Sequence, residues 1–103
     1  MIVVKVTYKV HDAYIAANKE RIQSFLADFK SLDHAQFLYT VFQGAECNTF
    51  IHLSQYQNKE IQQTLLNTPS FLHFQKQRDK NLLAEPEIEV LNYIGSSKDA
   101  FGI

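Results

Sequence analysis

The chain has 103 residues, 46% of them hydrophobic, with ten Lys and Arg against eleven Asp and Glu. That length supports one domain with a modest core and leaves no room for a second. A net charge of -1 without a cationic stripe excludes nucleic acid as an expected partner, and no apolar run is long enough to suggest membrane insertion.

The opening stretch, Ile2-Val3-Val4-Lys5-Val6-Thr7-Tyr8, alternates like a strand and lacks the continuous apolar core of a secretion signal, so a cytoplasmic location is expected. The strand runs over residues 2 to 10. Asp12 is placed to cap a helix that extends from Ala13 to about Leu32, with Ile15, Ile22, Phe25, Phe29 and Leu32 at helical spacing. Residues 35 to 42 and 47 to 53 are two apolar runs around Gln43-Gly44-Ala45-Glu46, the pattern of a hairpin. Asn58 caps a helix with Ile61, Leu65 and Leu66, which Thr68-Pro69-Ser70 interrupts and restarts; the second piece bears Phe71, Phe74, Arg78 and Leu82. Pro86 ends it, and residues 87 to 94 make a last strand.

This order, β-α-β-β-α-β, predicts a ferredoxin-like α+β fold over residues 1 to 95, a four-stranded antiparallel sheet with helices on one face, and a tail over 96 to 103 in which Phe101 and Ile103 are able to dock. The hairpin strands carry apolar residues on both faces: Phe37, Tyr39 and Val41 against Leu38 and Phe42, and Ile51 and Leu53 against Phe50. Helices cover one face, and the tail is too short to cover the other. A homodimer through the uncovered sheet face is therefore expected.

Cys47 is the only cysteine, so no internal disulfide forms, and no Cys and His residues have zinc-site spacing. Gly44, Gly95 and Gly102 make no phosphate-cradling loop. Functional candidates are therefore polar groups placed where apolar ones belong. Asn18 falls on the apolar stripe of the first helix, and its amide must find a partner beneath the sheet. His52 stands mid-strand between Ile51 and Leu53, sharing a face with Phe50 and Ser54, and is the leading candidate for acid-base work; the competing reading is a satisfied structural histidine. Tyr39 lies on the neighbouring strand, on the same face or the opposite one according to register. Arg78 continues the Phe71 and Phe74 stripe and either holds an anionic ligand or snorkels to water. His73 is one step off that stripe and His11 and His34 lie at element ends, so all three are expected at the surface. Asn92 breaks the apolar face of the last strand, where a barrel-lining or dimer-contact role is open.

With Asn67-Thr68-Pro69-Ser70-Phe71, Phe74-Gln75, Phe37-Leu38-Tyr39-Thr40 and Thr49-Phe50-Ile51-His52-Leu53 in place, the chain resembles the dimeric α/β-barrel superfamily that contains the antibiotic-biosynthesis-type monooxygenases, and within it a group of small uncharacterised members. The resemblance covers nearly all of residues 2 to 95. It implies a pocket between sheet and helices for a small aromatic or quinone-type molecule, and in some members oxidation by oxygen without metal or flavin. On that reading no cofactor is needed, Asn18, Tyr39 and His52 are the catalytic set, and Phe50, Phe71, Phe74 and Arg78 line the ligand. The alternative is a non-catalytic homodimer that binds a small molecule. Haem degradation is disfavoured, because Gln75 stands where haem-degrading relatives place a histidine, and the chain has no Trp.

Overall fold

A computed structural model describes residues 1 to 99 and residue 101; the expected docking of Ile103 lies outside the described residues. The elements are β1 (Ile2–Lys9), a single 3-10 turn (Asp12–Tyr14), α1 (Ile15–Phe29), β2 (Phe37–Gln43), β3 (Thr49–Tyr56), α2 (Lys59–Leu66), α3 (Pro69–Asp79) and β4 (Glu87–Leu91). All strand pairs are antiparallel in the order β2-β3-β1-β4. This is the expected ferredoxin-like α+β arrangement.

Strand alternation decides what faces the helices. In β3, Phe50, His52, Ser54 and Tyr56 are buried while the residues between them are half-exposed. Register then aligns Tyr8 with Phe50, Val6 and Val41 with His52, and Tyr39 with Ser54, so all of these share the helix-facing side. From α1, Asn18, Ile22, Phe25 and Phe29 are buried at steps of four, three and four, the period that keeps one side of a helix toward a sheet. Phe25 is fully buried and touches the rings of Phe29, Tyr39, His52, Phe71 and Phe74 at centroid distances of 4.9 to 6.1 Å. The core is an aromatic cluster between α1, α3 and the middle of the sheet.

The α2 cap forms as expected: the Ile61 amide donates to the Asn58 side chain at 3.0 Å. Pro69 opens α3 at its first position, where a missing N–H costs no helical hydrogen bond. Other expectations are corrected. Asp12 caps nothing; it lies in the 3-10 turn ahead of α1, whose α-helical residues start at Ile15 and stop at Phe29, where three-residue turns take over through Leu32. The last strand stops at Leu91, where its pairing with β1 ends at Val3, so Asn92 is exposed and outside the strand.

The sheet face away from the helices is less uniformly apolar than expected. Leu38, Phe42, Ile51 and Leu53 cluster on β2 and β3, but on β1 and β4 the same face carries Lys5, Thr7, Glu87 and Glu89 beside the apolar Val3–Leu91 pair. Strict alternation in β1 and β4 is the reason. On the helix-facing side, α1 and α3 do not reach β4, and Ile88 and Val90 are left 69% and 77% exposed beside Val6 and Val4.

Replacing Phe25 with Ala removes the ring on which the cluster is built, and the expected loss in urea unfolding is about 3–5 kcal/mol. A loss below about 1 kcal/mol would show that the ring is not central to the core.

Candidate functional site

Four polar side chains meet inside the aromatic cluster. The Asn18 Nδ2 donates to the Tyr8 hydroxyl at 3.0 Å, the Tyr8 hydroxyl shares a 2.8 Å hydrogen bond with His52 Nε2, and the Tyr39 hydroxyl shares one of 2.7 Å with His52 Nδ1. Four elements supply the parts. Asn18 arrives on the buried stripe of α1, while Tyr8, His52 and Tyr39 stand on three neighbouring strands whose register points them the same way. The His52 ring stacks on Phe74 at 5.3 Å and meets the edge of Tyr39 at 5.6 Å.

Donor counting allows this chain two directions. A neutral imidazole has one N–H and one bare nitrogen. With Asn18 donating to the Tyr8 oxygen, the Tyr8 O–H is left to donate to Nε2, Nδ1–H donates to Tyr39, and the Tyr39 O–H is left over. Turning the Asn18 amide over reverses every bond: Tyr39 donates to Nδ1, Nε2–H donates to Tyr8, and Tyr8 donates to Asn18 Oδ1. In the first arrangement Asn18 Oδ1 is buried without a partner among the described residues, as is observed. The hydroxyl of Tyr39 can thus present either a proton or a lone pair without placing a charge on the ring.

Burial enforces that neutrality. It pulls His52 from its usual value near 6.5 down to about 3, with the nearby Arg78 guanidinium acting in the same direction. Burial also pushes the phenols of Tyr8 and Tyr39 well above their usual range; for Tyr8 the Asn18 hydrogen bond opposes the shift without cancelling it.

The network borders a cavity of about 110 Å³ whose wall includes Tyr39, His52, Ser54, Phe71, Gln75 and Arg78. Arg78 does not snorkel to open water. Its guanidinium lies 5.5 Å over the Tyr8 ring and 5.4 Å over Phe74, with only 14% of the side chain exposed, and donates to Asp79 at 2.9 and 3.1 Å. A cation held over two ring faces with one exposed counter-ion retains capacity for a second anion. Val4 and Val6 form part of the same wall, and the exposed Ile88 and Val90 extend it as an apolar shelf beside the cavity.

The structure therefore brings Asn18, His52, Tyr39, Phe71 and Arg78 together. Phe74 packs behind His52, and Phe50 lies against Tyr8 at 5.7 Å, away from the cavity wall. His73 is on another side of α3, hydrogen-bonded to Arg21 at 2.9 Å, and His11 and His34 are exposed, as expected. Gln75 lines the same cavity. Among the described residues, no group of three His, Cys, Asp or Glu side chains is arranged to hold a metal. Sequence reasoning missed Tyr8, the link between Asn18 and His52. Its signal was present: it continues the Ile2, Val4, Val6 alternation and is the one hydroxyl on that face of β1.

No family model matches the sequence, and no curated protein matches it. Solved structures do. The chain is similar to a structure described as an antibiotic biosynthesis monooxygenase, at 9% identity over 92% of this chain and 100% of that one, with a TM-score of 0.78. It is similar to the Rv0793 protein of Mycobacterium tuberculosis at 12% identity, 94% and 98% coverage and a TM-score of 0.79. A candidate antibiotic biosynthesis monooxygenase of Caulobacter crescentus matches at 21% identity, 91% and 90% coverage and a TM-score of 0.77. The chain thus shares the fold of these structures, the ferredoxin-like α+β arrangement that its sequence resemblance implied. No helix among the described residues is long and apolar enough to cross a membrane.

The lowered His52 value sets an acid dependence. The folded state refuses a proton that the unfolded chain accepts, so this contribution is complete above pH 6.5 and is lost as pH falls toward 3, at up to about 1.4 kcal/mol per pH unit. Urea unfolding at pH 7, 6, 5 and 4 should show this slope in the native protein and a flatter one in His52→Gln; equal slopes would mean that His52 titrates normally.

Proposed function

We propose that the protein binds a small phenolic or quinone-type aromatic at the cavity beside His52 and supports its oxidation by oxygen without a metal or flavin. The observation that carries this reading is the convergence of a neutral, doubly hydrogen-bonded His52, a Tyr39 hydroxyl able to donate, and the Arg78 cation on one cavity. Such a set favours an aromatic oxyanion over its protonated parent. At about 110 Å³ the cavity is smaller than the roughly 150 Å³ that accommodates benzene, so a ring enters only in part and the rest of the ligand lies along Val4, Val6, Ile88 and Val90.

In this reaction a phenol tautomer of an aryl ketone loses its proton to water and gives electrons to oxygen. One oxygen atom becomes the new carbonyl, and the other takes up two protons, one in place of the phenol proton and one from the oxidised ring carbon, and leaves as water. Arg78 and the Tyr39 hydroxyl hold the oxyanion, and the Asn18-Tyr8-His52 chain reorients the Tyr39 proton. With its value near 3, His52 acts as a relay rather than as the store of the proton.

A second reading is favoured by the same histidine. Both ring nitrogens are already engaged, an arrangement suited to a rigid binding wall, and the protein would then hold the aromatic without turning it over. In either reading we propose a homodimer through Leu38, Phe42, Ile51 and Leu53 on the sheet face away from the helices.

Anthrone tests these readings: anthrone and one oxygen molecule give anthraquinone and water. Oxygen uptake with anthraquinone formation is expected, with kcat about 100-fold lower in Arg78→Met and about tenfold lower in Tyr39→Phe. Saturable binding without oxygen uptake would select the second reading, and wild-type turnover in both variants would remove these residues from the site. Sedimentation equilibrium should give a dimer that Phe42→Lys weakens at least tenfold; a monomer at tens of micromolar would overturn the proposed interface.

A further inference from the structure

A second hollow is lined by Tyr39 on the side of α1 and β2 away from the cavity beside His52. It has a volume of about 420 Å³ and is bounded by the end of α1, the edge strand β2 and the C-terminal tail. Its floor is aromatic: Phe29 and Phe37 meet edge to face at 6.2 Å, and Phe29 and Tyr39 do so at 5.3 Å, with Leu26 and Leu38 at the sides. Phe101 reaches it from the tail and is half-buried there. The rim carries two lysines, Lys30 and Lys98, beside His34 and the carboxylate of Asp99. Neither Lys30 nor Lys98 is in an ion pair among the described residues.

We infer that this cleft is a second small-molecule site, for a planar aromatic carboxylic acid of two or three rings. Three observations converge on that class. The volume falls within the range of roughly 300–1,000 Å³ typical of small-ligand pockets, several times that of the cavity beside His52. The floor offers ring edges and faces, which reward a flat aromatic over a branched aliphatic body. The rim offers cations in excess of the one acid, and two lysines at a half-apolar mouth match one carboxylate better than a neutral group. Tyr39 contributes to both hollows, its hydroxyl serving the His52 chain and its ring the aromatic floor. An occupant of the cleft would therefore press on a residue of the oxyanion site without entering it.

The inference does not depend on catalysis, and 2-naphthoate tests it by calorimetric titration and by amide chemical shifts. Saturable binding is expected at sub-millimolar concentration, with shifts at Phe37, Leu38 and Phe101. The Lys30→Ala, Lys98→Ala double variant should weaken 2-naphthoate about tenfold while leaving the neutral 2-acetylnaphthalene unchanged, the size expected of two partly exposed charge contacts. Phe101→Ser should weaken both compounds. Arg78→Met, on the other site, should alter neither, which separates failure here from failure of the oxyanion reading. The inference is overturned if no saturable binding appears up to 5 mM, roughly the limit at which a contact of this kind ceases to be specific. It is equally overturned if the double variant binds 2-naphthoate as tightly as the native protein, or if Arg78→Met alone abolishes binding. Self-association that blocks the ligand, seen as weaker binding at higher protein concentration, would assign the cleft to a second copy of the chain instead.

Discussion

His52 is a side chain with two hydrogen-bonding nitrogens set inside an aromatic core, and its burial is tolerable because Tyr8 and Tyr39 meet both nitrogens from the strands on either side. A buried polar group without partners costs several kcal/mol, and a buried imidazolium costs more. The register of three strands is therefore tied to this one ring. A slip by one residue in β1 or β2 would turn a tyrosine to the opposite face and leave a nitrogen unpaired. Asn18 extends the same constraint to α1, fixing the helix against the sheet through Tyr8.

The architecture around this clamp separates two kinds of surface. Where α1 and α3 cover the sheet, aromatic rings fill the space and only about 110 Å³ remains beside the network. Where the helices fail to reach, at β4, Ile88 and Val90 are left open, and the space available to a ligand widens. Arg78 stands at the boundary with its charge spread over Tyr8 and Phe74. A neutral relay, a cation with one exposed counter-ion and a one-sided apolar shelf are the elements from which the oxyanion reading is built. The fold alone selects no chemistry, so that reading rests on these side chains.

Several features were legible before any coordinates. Alternation in residues 2 to 9, the Asn58 cap and the Thr68-Pro69-Ser70 restart are local signals, each set by backbone preference or by the period of a single element. Asn18 and His52 were visible for a related reason: a polar residue on an apolar stripe is conspicuous whatever the stripe packs against. The helix start at Ile15 and the early end of β4 were not visible, because a 3-10 turn has the same composition as a helix start and a strand ends where its neighbour stops pairing.

The amino-acid sequence by itself determined the order of elements, the place of Asn18 on the apolar stripe of its helix, and the absence of an internal disulfide, since these follow from spacing and composition; that His52 faces the helices was decided by the fold. Only the tertiary structure decided that Tyr39 shares the His52 face, that Tyr8 joins Asn18 to His52, and that Arg78 lies over two rings rather than in water. Each of these depends on register or on packing between segments distant in the chain. Periodicity within one segment carries no information about the segment that will stand beside it.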